Sequence, residues 1–155
     1  MMTWEELRTG VYEIDGSWRD IYVLNATRQD WHQWIKYVNL NYSVRWAALN
    51  HCNGETLDAI DADYIAAWWD ESGGVANPWG IIYLDKVQLK CHFFTDNEIE
   101  NDVDPSQIVS MEDHHRLMAY LVAISGALGK EVIVTAENVR EGVYVRVNGS
   151  NISFT

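Results

Sequence analysis

Trp79-Gly-Ile-Ile-Tyr-Leu-Asp-Lys-Val-Gln-Leu-Lys-Cys-His-Phe-Phe94 is the stretch on which the fold turns. Two runs rich in β-branched and aromatic residues, 79–84 and 87–94, flank the dipeptide Asp85-Lys86, and that spacing predicts a hairpin. A hairpin is antiparallel, so the sheet containing it is not the fully parallel, doubly wound kind. Asp-Lys is weaker turn chemistry than Asn-Gly, because Lys accepts φ > 0 poorly. With Leu84 and Val87 as the closing pair, Trp79 faces His92, Ile81 faces Lys90 and Tyr83 faces Gln88. That side mixes aromatic and polar groups, which predicts either the exposed face of the sheet or a dimer surface. Ile82, Leu84, Val87, Leu89 and Cys91 point the other way and belong to the core.

Downstream of the hairpin, residues 95–103 read as a continuation of the second strand around a bulge, ended by Asp104-Pro105. Ser110 and Asp113 then cap the longest helix, whose apolar residues Leu117, Leu121, Ile124 and Leu128 recur at helical spacing before Gly129 closes it. Residues 131–135 and 143–147 are the last strands, paired with each other. Upstream, Thr3 and Glu6 form a capping box for a short helix that stops near Gly10. Residues 19–24 (RDIYVL) read as the first strand. Thr27 caps a helix striped by Trp31, Trp34, Ile35 and Val38. Residues 42–49 return as a strand before the polar turn 51–54, and Asp61 caps a short helix through Trp69.

This order, αβαβαβββαββ, predicts an α+β protein. We expect one domain spanning 1–155, with a mixed, mostly antiparallel sheet of about five to seven strands and two or three helices on one face. The one long turn-rich segment, 71–78, is short enough to be a loop within that domain. Apolar residues make up 48% of the chain, enough for a real core. No apolar run approaches the ~20 residues of a membrane span, and the N-terminus lacks the pattern of a secretory signal. The expectation is therefore a cytoplasmic protein in which Cys52 and Cys91 are reduced, and in which matches to the glycosylation tripeptide carry no meaning.

Eleven basic residues against 23 acidic ones give a net charge of −12. That field repels nucleic acid and anionic lipid and attracts cationic proteins or metal ions, although it also serves plain solubility. The most unusual local feature is Asp96-Asn-Glu98-Ile-Glu100-Asn-Asp102-Val-Asp104, which holds five of the acidic residues. In an extended segment all five carboxylates share one side, and such a row needs solvent, a cation or a basic partner beside it. Three readings follow: a solvated edge strand, a surface for a cationic protein, or a metal site. A calcium loop counted from Asp96 fails, because its sixth and twelfth positions hold Asn101 and Gln107.

His92, His114 and His115 are the candidate zinc ligands. However, Cys91 and His92 diverge on a strand, adjacent helical histidines diverge by about 100°, and no ligand spacing supports a site. Ser125 lacks a nucleophile elbow, and Gly126 to Lys130 closes a helix rather than opening one around a phosphate. Trp68 and Trp69, adjacent on a short helix, cannot both face the same way. One of them borders the loop beginning at Asp70, as a protein-binding anchor, a sugar platform or part of a small apolar cluster under the 71–78 loop.

Two phrases, Gly16-Ser-Trp-Arg-Asp-Ile-Tyr-Val-Leu24 and Cys91-His-Phe-Phe-Thr-Asp-Asn-Glu-Ile-Glu100 ending in Asp-Val-Asp-Pro105, resemble small stand-alone bacterial proteins of the immunity-protein type. The resemblance implies a non-enzymatic protein that binds and neutralises a toxin domain. With no catalytic motif, the expected function is a cofactor-free acidic module that binds a basic protein through Asp96, Glu98, Glu100, Asp102 and Asp104, with Trp68 and Trp69 as anchors. The alternatives are a metal-dependent, hydrolase-like enzyme drawing on the same carboxylates and the histidines, or a structural homodimer.

Overall fold

In the computed structural model, residues 1–47 and 56–155 are described. The end of the strand expected over 42–49, the turn at 51–54 and Cys52 lie outside them. Four helices, α1 (Trp4–Thr9), α2 (Arg28–Asn41), α3 (Ala62–Trp69) and α4 (Met111–Leu128), accompany eight strands: β1 (Arg19–Leu24), β2 (Ser43–Ala47), β3 (Trp79–Leu84), β4 (Val87–His92), β5 (Glu98–Val103), β6 (Val132–Ala136), β7 (Val139–Asn148) and β8 (Asn151–Phe154). The strands form one sheet in the order β2-β3-β4-β5-β1-β6-β7-β8. Every pair is antiparallel, so the sheet is not mixed, and it is larger than expected.

The capping residues set the helix boundaries as their chemistry requires. Thr3 with Glu6 and Thr27 with Asp30 complete reciprocal capping boxes, Asp61 and Ser110 cap α3 and α4, and Gly129 ends α4 at φ 63°. Trp31, Trp34, Ile35 and Val38 are buried in one core with Leu117, Leu121 and Ile124. The hairpin register is the expected one from Leu84–Val87 to Gly80–Cys91. At its turn Asp85 takes the left-handed φ of 58°, sparing Lys86. Lys86 instead reaches back to Asp113 at the start of α4, 3.4 Å away.

Two expectations are corrected in the second half. Residues 95–103 do not carry β4 on around a bulge; the chain turns after His92, and β5 returns antiparallel to both β4 and β1. The acidic strand is therefore internal to the sheet, not an edge. A final strand, β8, was also absent from the expected order. Asn148 pairs with Asn151 across Gly149-Ser150, with Gly149 at φ 59°, a two-residue turn that needs glycine at its first position.

The helices cover the face that carries Ile21, Val23, Leu89, Ile99, Val103, Val132 and Val134. A buried hydrogen-bond chain joins them to the sheet: Trp34 Nε1 donates to Tyr120 Oη (3.1 Å), which donates to Asn101 Oδ1 (2.6 Å). Ser125, rejected above as a nucleophile, donates to the Lys130 carbonyl (2.7 Å) and accepts from Gly149 N–H (2.8 Å), tying the end of α4 to the β7–β8 turn. Cys91 is buried, and burial pushes its thiol well above its usual range, so it is an inert core group.

Candidate functional site

Strand alternation leaves Glu98, Glu100 and Asp102 on the helix-free face of the sheet, each half-buried, while Ile99, Asn101 and Val103 enter the core. Their cross-strand partners on β1 are Leu24, Tyr22 and Asp20. On β4, His92 lies opposite Glu100 and Lys90 opposite Asp102. The acidic row thus sits at the middle of an uncovered face, where opposed carboxylates such as Asp20 and Asp102 repel each other unless something compensates.

Compensation is present but partial. His92 Nε2 lies 2.8 Å from Asp102 Oδ2. Arg140, on β7, forks onto Glu98 with contacts of 2.6 and 3.2 Å, and its guanidinium covers the Tyr22 ring at 4.9 Å. Asp20 accepts from Tyr22 Oη (3.0 Å) and from the Asn138 N–H (2.7 Å). Lys90 rests on the Trp18 ring at 4.6 Å. Glu100 has no such partner among the bonds of the described residues, and Asp102 Oδ1 is buried without one. Burial raises Glu100 and Asp20 above the ordinary carboxylate range, and the neighbouring carboxylates add to the rise. Burial alone would lower His92, but the Asp102 contact and the charges of Glu100 and Asp20 outweigh it, so its imidazole is raised.

The other proposed acidic residues separate. Asp104 caps the 3-10 turn Pro105–Gln107 by accepting from Ser106 N–H, a structural task. Asp96 lies beyond the sheet, where Arg28 bridges it (2.9 Å) to Asp70. There a groove of about 490 Å³ runs between the end of α3 and the β4–β5 turn, lined among others by Trp68, Trp69, Glu71, Phe94 and Asp96. Contrary to expectation, Trp68 and Trp69 turn towards the same point: both indole N–H groups donate to the Phe93 carbonyl, at 3.1 and 2.9 Å. The two rings leave the helix in different directions, but each is long enough for its N–H to reach the same carbonyl. Trp69 also packs on the core ring Trp31 (5.0 Å) and beneath Arg28 (5.4 Å). Phe94 stacks flat on His92, linking the groove to the acidic face.

The candidate metal ligands are not brought together. His92 lies on the uncovered face, whereas His114 and His115 begin α4 on the helical side. Among the described residues no group of three or more His, Cys, Asp or Glu side chains is arranged to hold a metal ion. His114 is buried beside Tyr12, 2.6 Å from Nδ1 to Oη, and against Phe154 of β8. Burial, helped by His115, pulls its pKa down from 6.5 to about 4. With His114 neutral and its proton on Nε2, the Tyr12 hydroxyl donates to Nδ1.

The two histidines should therefore titrate on opposite sides of the ordinary imidazole pKa. The unfolded chain binds a proton at His114 more tightly than the fold does, so this site supports stability above pH 6.5. That support fades as pH falls towards about 4, a loss of about 3 kcal/mol. His92 works the other way: its contribution is present below its ordinary pKa and is lost as pH rises through its raised folded value. An NMR titration of the imidazole protons checks this, and a His114 midpoint near 6.5 would contradict the buried contact with Tyr12.

The residues that sequence reading missed are Asp20, Tyr22, Asn138 and Arg140. Asp20 and Tyr22 could have been found, since they alternate with Ile21 and Val23 within one strand and so share the face opposite those two apolar residues. Arg140 could not, because nothing local pairs it with Glu98. No family model, curated protein or solved structure matches the chain. Among the described residues no helix is long and apolar enough to cross a membrane.

Proposed function

We propose that the protein is a non-enzymatic binding module, of the immunity-protein type, that receives a basic partner protein on the uncovered face of its sheet. The observation that supports this most is the half-buried carboxylate row of Glu98, Glu100 and Asp102 with Asp20, only partly neutralised by His92, Arg140 and Lys90. Negative charge held in a partly dry setting is poorly solvated, and an arriving cation restores what burial removed. Aromatic and aliphatic groups border the row: Trp79 is 39% exposed and Phe94 57%. They would supply contact area, while the charge speeds encounter. A metal-dependent hydrolase finds less support, since its histidines lie on opposite sides of the sheet.

The test begins with capture of a basic protein from host lysate on the tagged chain, eluted by salt as screening shortens the Debye length. The captured protein is then measured against the triple variant Glu98→Gln, Glu100→Gln, Asp102→Asn. Association should slow by about tenfold or more at low salt, and the difference should shrink as salt rises. Unchanged association would end the acidic-face reading. A particle of twice the mass in light scattering, with no partner captured, would favour a homodimer built on the Trp79, Ile81 and Tyr83 side of the face.

A further inference from the structure

We infer that the groove between α3 and the β4–β5 turn is a receptor for a guanidinium side chain, one arginine of the basic partner, held against Trp68 and Phe94 and within reach of Glu71 and Asp96. The inference rests on the binding-module reading and adds to it the group recognised and the place where it enters. Three independent features support it.

The first is composition. The groove joins indole and phenyl rings to Glu71 and Asp96, with Asp70 at the rim, and its lining holds no cationic side chain. A cation over an aromatic face gains most where carboxylates stand beside it, and a planar guanidinium can stack on a ring while its N–H groups fork to a carboxylate. The second is an internal precedent. Arg28 already lies over Trp69, with Asp70 and Asp96 on its N–H groups. The protein thus holds its own guanidinium at the rim with the residue types that line the rest of the groove. Trp69 is occupied in this way, whereas Trp68 is anchored at its N–H by the Phe93 carbonyl and has no ring contact with another aromatic or cation among the described residues.

The third feature is backbone strain. Glu71 sits at φ 53°, where glycine or asparagine would be more comfortable, two residues before the pair Gly73 and Gly74, which also have positive φ. A charged side chain thus occupies a left-handed position, and there it lines the groove. Trp68 and Trp69, fixed by one carbonyl, lose little freedom when a ligand arrives, so the receptor is pre-organised.

The probe is a fluorescein-labelled Gly-Arg-Gly-Arg-Gly amide, compared with the same peptide carrying citrulline, which keeps the shape and loses the charge. Anisotropy should show the arginine peptide binding about tenfold more tightly than the citrulline peptide. Trp68→Ala should weaken it by a similar factor, Trp68→Phe should retain most of the binding, and Glu71→Gln should weaken it severalfold without disturbing the fold. Equal binding of citrulline and arginine peptides, or no loss with both Trp68→Ala and Glu71→Gln, would overturn the inference, as would failure of the peptide to bind at all. Loss of binding only in Glu98→Gln, Glu100→Gln would assign the cation to the sheet face. That result would overturn the groove receptor and leave the acidic-face reading standing.

Discussion

Replacing Arg19 with methionine is expected to lower the free energy of unfolding by about 3–4 kcal/mol. Arg19 is 1% exposed at the start of β1, on the helical side. Its Nε donates to the Val11 carbonyl (2.6 Å), Nη2 to the Glu13 carbonyl (2.9 Å), and Nη1 to Ser17 Oγ (2.8 Å) and the Trp18 carbonyl (3.1 Å). Tyr144 lies under the guanidinium at 5.2 Å, and Asp15 supplies the counter-charge at 3.5 Å. The connector from α1 to β1 has no ladder of its own, so this side chain stands in for one. Methionine fills the volume but leaves the carbonyls without donors. Lysine should recover only part of the loss, because a single ammonium cannot span acceptors spread around a planar fork. Urea unfolding with unchanged m-value would report the difference directly, and a loss under about 1 kcal/mol would show that the connector is held by other means.

The second large effect is expected at Tyr120. Tyr120→Phe removes one oxygen and orphans two buried groups at once, the Trp34 Nε1–H and the Asn101 side-chain Oδ1. Asn101 Nδ2 is already without a partner among the described residues. The expected loss is about 2–3 kcal/mol. Adding Asn101→Val deletes the stranded amide, so the double variant should be less destabilised than the two single losses summed, with a coupling of about 1 kcal/mol or more. Strict additivity in calorimetric or urea unfolding would mean that the three residues do not act as a chain.

These two sites show why some of the protein was legible in its sequence and some was not. Helix ends were readable because capping is a contract between residues three apart: Thr3 with Glu6, Thr27 with Asp30, Ser110 with Asp113. The β3–β4 register was readable because two residues join the strands and leave one pairing that buries Ile82, Leu89 and Cys91 together. The internal position of β5 was not, since its neighbour β1 comes from the far side of five intervening elements. An isolated acidic strand looks like an edge; only its long-range partners show otherwise. The β7–β8 hairpin has a local signal too, Gly149-Ser150 between two short strands, which the glycosylation tripeptide Asn148-Gly149-Ser150 masks. At the candidate site, the alternation of Glu98, Glu100 and Asp102 was local and visible, whereas Arg140 on Glu98 and the Asn138 N–H on Asp20 depend on a crossing that no short window contains. Arg19 reads as an ordinary strand-end charge until the connector is seen wrapped around it.

The strand order carries a consequence for how the molecule is made. β2 to β5 form one meander and β6 to β8 another, and each can zip up from neighbours close along the chain. β1 joins them, lying between β5 and β6, although it leaves the ribosome before either. During synthesis its apolar stretch Ile21-Tyr22-Val23 must wait, unpaired, until β5 has emerged, and its second edge stays open until β6 follows. Closing such distant contacts is slow, and the interval exposes a strand with two open edges. Chaperone capture in the cell should therefore centre on β1, and ribosome-bound chains stopped before β5 should remain protease-sensitive there, whereas chains that include β5 should gain protection at β1.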